Sequence, residues 1–148
     1  MIIGLDFDNT LIQYDELFYS LAIEKNLVHK ETPKSKIGVR DYLRSIGQDN
    51  EFTKLQGIVY GERIAEAKQS TGMYKALKSA KDMGYKFYII SHKTKKPISG
   101  ADYDLHKAAL GWMMDNNFFE TFGFGLKPED VYFEDTIKSK VNRAIALN

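Results

Sequence analysis

The chain has 148 residues, with 21 basic and 20 acidic side chains, a net charge of +1 and no cysteine. Charge this balanced gives no basic footprint for nucleic acid, and the missing thiols exclude disulfides, thiolate metal sites and a cysteine nucleophile. The length suits one domain, or a core with a small insertion. No apolar run is long enough to span a bilayer, and the first strand begins at Met1, so the expectation is a cytoplasmic protein with no membrane partner.

Met1-Ile2-Ile3-Gly4-Leu5 is an apolar run that reads as a buried strand, with Asn9-Thr10 in the loop after it. From there to about Ser70 the pattern is helical. Tyr14, Leu17, Phe18, Leu21 and Ala22 recur at helical spacing as far as Lys25-Asn26, and Thr32-Pro33 then breaks the chain. A second helical stripe carries Ile37, Val39, Tyr42, Leu43 and Ile46 and stops at Gly47. A third runs from about Glu51 through Ile58 to Ala67, weakened by Gly57 and Gly61. No strong strand is expected in this stretch.

The remainder is more regular. Gly72 to Met83 reads as a helix stopped by Gly84, and Tyr85 to Ser91 as a strand. His92 to Asp104 is a lysine-rich loop, and Asp104 caps a helix from Leu105 to about Asn117. After an irregular, glycine-dotted stretch from Phe118 to Glu129, Val131-Tyr132-Phe133 forms a third strand. Thr136 then opens a last helix through Val141, Ala144, Ile145 and Leu147. Strands alternating with helices predict an α/β fold with a parallel sheet.

Asp6 and Asp8 stand two residues apart at the end of the first strand, so on an extended chain they point the same way. Side by side they repel, and a hard divalent cation with oxygen ligands is the natural charge to place between them. Open α/β sheets also bind ligands at the carboxyl ends of their strands. The plain alternative is a polar turn with an aspartate cap.

Asp6-Phe7-Asp8-Asn9-Thr10 resembles the Asp-x-Asp-x-Thr motif of the haloacid dehalogenase-like superfamily, matching all three fixed positions directly after the expected strand. The resemblance implies a Rossmannoid parallel sheet with a helical cap inserted after the first strand. The core would span 1–12 and 71–148, and the cap 13–70. It implies that Asp6 attacks phosphorus to form an aspartyl-phosphate, and that Asp8 protonates the leaving oxygen and then activates water. Thr10 would support the Asp8 loop. Magnesium would be shared by the Asp6 carboxylate and the Asp8 main-chain carbonyl. True dehalogenases of this superfamily lack the second aspartate, so Asp8 points to phosphoryl transfer. The alternative for 13–70 is a set of helices packed directly on the sheet.

The same resemblance makes Ser91 the second-motif hydroxyl that holds a phosphate oxygen, with His92 and Lys93 beside the substrate. A third-motif lysine belongs early in the last helix. Lys140 is preferred because Thr136-Ile137-Lys138-Ser139-Lys140 resembles the Thr-x-x-x-Lys of one subgroup, and Lys138 is the reserve. The subgroup resemblance takes in Tyr14, Leu55-Gln56-Gly57, Val59-Tyr60-Gly61, Ser91-His92-Lys93-Thr94, Tyr103-Asp104-Leu105-His106 and Phe133-Glu134, and names no substrate. His106 is read as structural. Lys34, Lys36, Arg40 and Arg44 either help recognise an anionic substrate or form a solvated helix face.

A fourth, acidic motif should follow the Lys140 helix, and the sequence stops at Leu147-Asn148. Glu134-Asp135 can be taken for it only if the motif lysine moves upstream to Lys107 or Lys127. The expectation is therefore a magnesium-dependent phosphohydrolase for a small phosphorylated metabolite. Its rival is a silent or truncated relative that binds a ligand or partner without turnover. A missing strand would leave a sheet edge open to pairing with a second copy.

Overall fold

The computed structural model describes residues 1–147. Its centre is a three-stranded parallel sheet in the order β1 (Ile2–Leu5), β4 (Lys86–His92), β5 (Val131–Glu134). Leu5 pairs with Ile89, and Ile89 in turn with Val131, so the carboxyl ends of all three strands lie at one edge. Parallel neighbours need crossovers, and helices supply them. α4 (Met73–Asp82) leads into β4, and α5 (Leu105–Asp115) joins β4 to β5. α6 (Ile137–Ala146) follows β5. The observed class is thus mixed α/β with a small parallel sheet.

Local chemistry accounts for the boundaries. Gly84 stops the chain after α4 with φ +81°, a conformation that costs an L residue energy. The Asp104 side chain accepts from the Lys107 N–H and caps α5, and the Thr136 hydroxyl accepts from the Ser139 N–H and caps α6.

The stretch between β1 and α4 departs from expectation in one respect. α1 (Asp15–Glu24), α2 (Lys36–Ser45) and α3 (Asp49–Tyr60) occupy most of it, but two short strands bracket them. β2 (Ile12–Gln13) pairs antiparallel with β3 (Lys68–Gln69), Ile12 opposite Gln69 and Gln13 opposite Lys68. A two-residue strand has no periodicity to read, which is why neither was expected. The third helix also ends at Tyr60 rather than Ala67, and a single 3₁₀ turn at Ile64–Glu66 completes the segment.

One continuous apolar core runs through the molecule. On the sheet side the Trp112 ring meets Phe7 edge-on at 5.6 Å and Phe118 at 5.7 Å. The buried Trp112 Nε1–H donates to the Ala67 carbonyl at 2.9 Å, which ties α5 to the end of the helical segment. Among the helices, Phe18 stacks on Phe52 at 5.6 Å and Tyr14 meets Tyr60 at 4.8 Å. No helix among the described residues is long and apolar enough to cross a membrane.

Candidate active site

β1 ends at Leu5, and the chain turns at once. The N–H groups of Thr10, Leu11 and Ile12 converge on the Phe7 carbonyl at 3.3, 3.0 and 3.4 Å, with Asn9 at φ +59°. The fully buried Phe7 ring anchors this turn in the core. Asp6 and Asp8 therefore project from a pinned loop rather than from the strand itself. Thr10 takes part through its main chain, and its side chain is exposed.

Each aspartate meets its own ammonium. Lys140 Nζ lies 3.0 Å from Asp6 Oδ2, while Asp6 Oδ1 accepts from the Phe7 N–H at 2.8 Å. Lys140 reaches Asp6 from the second turn of α6, whereas Lys138 is exposed. The upstream alternatives do not reach: Lys107 and Lys127 are also exposed. Glu134 is held by Arg143 at 2.8 Å, and Asp135 is exposed. The Asp6 side chain keeps 42% of its surface open to solvent, so an approaching electrophile can reach it.

Asp8 sits in a more closed environment. Both its oxygens accept from Lys93 Nζ at 3.1 Å, and the Tyr14 hydroxyl also donates to Oδ1. Lys93 is 4% exposed, its ammonium 5.6 Å from the Phe7 ring centre and 5.0 Å from that of Tyr60. A cation so enclosed is tolerable only because a carboxylate and two aromatic faces replace its water. Its main chain is fixed on both sides. Lys93 N–H donates to the Glu134 carbonyl at 3.0 Å, and His106 Nε2–H donates to the Lys93 carbonyl at 2.7 Å. The His106 ring lies 4.8 Å from Phe133, which makes it a support for Lys93.

Burial first, and then the charge on Asp8, raise the Tyr14 phenol well above its ordinary range. The same two causes raise Tyr60. Both therefore keep their protons at neutral pH, and Tyr14 serves Asp8 as a hydrogen-bond donor.

Ser91 lies on the adjacent strand. Ile89 pairs with Leu5, the last residue of β1, and Ser91 pairs with Phe133 near the carboxyl end of β4. Its hydroxyl is buried with no hydrogen-bond partner, an arrangement that costs about 1–3 kcal/mol when nothing accepts from it. His92, expected beside the substrate, is exposed and donates from Nε2 to the Asp135 carbonyl at 3.1 Å.

Sequence reasoning favoured a solvated helix face for Lys36 over substrate recognition. It is half-buried at the first position of α2, its ammonium 5.7 Å from the Phe18 ring centre and 5.5 Å from that of Tyr60. Its affinity for a proton is lowered, chiefly by burial, against which Asp8 acts in the opposite direction. Nothing in local periodicity marks this lysine, because its surroundings come from α1 and α3.

The donor set suits a hard cation only in a water-rich site. Among the described residues no group of three or more His, Asp or Glu side chains gathers in metal-ligating geometry. The Asp6 carboxylate, partly open to solvent, is the oxygen ligand this loop presents most freely. Magnesium commonly binds through one or two carboxylates, waters and the substrate's own phosphate, so the residues fit it in that limited form.

The chain matches no protein-family model, no curated protein and no solved structure in any of the three comparisons made.

Proposed function

We propose that the protein is a phosphohydrolase of the haloacid dehalogenase-like type, with a Rossmannoid core at 1–12 and 71–148 and a helical cap at 13–70. The observation that carries this reading is the 3.0 Å contact between Lys140 Nζ and Asp6 Oδ2. Residues 134 positions apart in the chain meet at the carboxyl end of a parallel sheet, next to a second aspartate in the same loop and with Ser91 near the carboxyl end of the neighbouring strand. An anionic nucleophile, a cation and a hydroxyl in that order form a plausible phosphoryl-transfer set.

In this reading a carboxylate oxygen of Asp6 attacks phosphorus, forming the new P–O bond as the ester P–O bond breaks. Lys140 offsets the charge on the nucleophile and the phosphoryl group, and Ser91 donates to a phosphoryl oxygen. Asp8 enters the cycle protonated and gives that proton to the leaving oxygen; the carboxylate so formed then takes one from the water that hydrolyses the aspartyl-phosphate. Tyr14 and Lys93 hold the Asp8 carboxylate in place between these two steps. Bound magnesium would offset charge between nucleophile and phosphate, held by Asp6 and the Asp8 main-chain carbonyl.

The test is phosphate release from a panel of small phosphate esters, with and without magnesium. The expected outcome is magnesium-dependent turnover that falls by at least about 10³-fold in Asp6→Asn, as removal of a covalent nucleophile should give. Turnover retained in that variant would sink the mechanism. A second reading, a ligand-binding protein without turnover, draws on the pairing of Glu134 with Arg143, which engages one of the two acidic residues there that could complete a metal shell. It predicts phosphate-ester binding with no release of phosphate.

A further inference from the structure

The charges at the sheet edge do not balance. Asp6 faces Lys140 and Asp8 faces Lys93, but the Lys36 ammonium makes no ion pair among the described residues. It is nevertheless held close to them. The Tyr60 ring carries the Lys93 ammonium at 5.0 Å and the Lys36 ammonium at 5.5 Å, so two cations share one aromatic ring beside a single carboxylate. The Lys36 main-chain N–H donates to Asp15 Oδ1 at 2.8 Å, which fixes the start of α2 against α1 and directs the stem inward.

A half-buried ammonium is costly unless an anion or dipole faces it. The charged groups around Lys36 are Asp8 and Asp15, which favour its charge, and Arg40 and Lys93, which oppose it. Arg40 is itself paired with Asp41 at 2.9 Å, and Asp8 is already engaged by Lys93 and Tyr14, so Lys36 is the ammonium left without an ion pair among the described residues.

We propose that the substrate is a phosphomonoester carrying a second anionic group, a carboxylate or another phosphate, which Lys36 receives beside the Asp8–Lys93 pair while its phosphoryl group lies over Asp6. The inference rests on the phosphohydrolase reading for the phosphoryl end and on Lys36 for the other. Asp6 and Asp8 are separated by at most about 7 Å of chain, so the linker between the two anions is a few carbons.

The competing explanation is that the Lys36 stem merely covers the Phe18 and Tyr60 faces. Lys36→Met keeps that stem and removes the charge. Titration calorimetry with propylphosphonate and 3-phosphonopropionate, both inert to hydrolysis and matched in length, isolates the second charge. A third titration with 1,2-ethylenebisphosphonate tells a carboxylate preference from a phosphate one.

The full-length wild type should bind the better two-anion probe about tenfold more tightly than propylphosphonate. Lys36→Met should abolish that advantage and leave propylphosphonate binding unchanged, which also shows the variant is folded. Lys36→Gln should behave alike. Equal binding of all probes by the wild type, binding of none, or an advantage surviving in both variants would overturn the inference. A two-anion preference without turnover of any phosphate ester refutes hydrolysis and upholds the second-anion site. Turnover without that preference does the reverse.

Discussion

Tyr14 shows how a single side chain sets the state of this site. Its phenol is buried against Asp8 and holds its proton past the ordinary range, whereas the unfolded chain releases it near pH 10. Above that pH the folded state binds more protons than the unfolded one, so stability falls as pH rises; below it the contribution is fully present. Tyr60 acts in the same direction, and Lys36, whose proton affinity is lowered, acts in the opposite one. The urea midpoint should therefore decline above about pH 10, and decline less steeply in Tyr14→Phe. An unchanged slope in that variant would show that the phenol is not the titrating group. At this scale the sequence was informative only along short stretches. It placed Asp6, Asp8 and Ser91 at strand ends and favoured Lys140 over Lys138. It favoured a solvated face for Lys36 and did not anticipate Lys93 on Asp8, because those partners lie 28 and 85 residues away and no spacing rule links them.

Among the elements, the contact between α3 and the loop after β4 depends on two glycines one helical turn apart. A Cβ on Gly57 would come within 3.1 Å of Pro97 Cβ, and one on Gly61 within 2.7 Å of Tyr103 Cβ. The loop from Thr94 to Asp104 is thus pressed onto α3, and that loop begins at Lys93. Tyr103 adds a hydrogen bond from its hydroxyl to Glu62 at 2.6 Å. Gly61→Ala should force the loop off the helix and cost about 1–3 kcal/mol, and under the proposed function phosphate-ester turnover should fall in parallel as Lys93 and Asp8 lose their positions. Denaturation midpoints and turnover measured on the same preparations check this, and a fully stable, fully active Gly61→Ala would refute it. Gly57→Ala meets a softer contact and should cost less. Read as sequence, these glycines looked like weaknesses in a helix, since propensity sees their backbone freedom and not the side chains across from them. The long helices and three main strands were legible because each carries its own apolar period or run.

For the molecule as a whole, the sheet ends at β1, whose outer edge has no partner strand among the described residues. Its Ile2 is 46% exposed, and Gly4 beside it offers no side chain. α6 packs over β4 and β5. Arg143 turns toward β5 to meet Glu134, and Lys140 turns toward Asp6 beyond β1. At about 100° per residue, Ile137, Val141 and Ile145 lie on the flank past Lys140, away from β5. They are 68, 52 and 69% exposed, an apolar stripe on the flank of α6. The open edge keeps a row of unpaired N–H and C=O groups that a second copy can pair with, the two β1 edges antiparallel about a twofold axis, and the stripe on α6 offers further apolar surface to such a contact. Sedimentation velocity over a range of concentrations should show reversible dimerisation, and Val141→Glu should shift it to the monomer without changing the melting temperature of the dilute protein. A monomer at all concentrations would remove the pairing. A dimer indifferent to Val141→Glu would move it to another face.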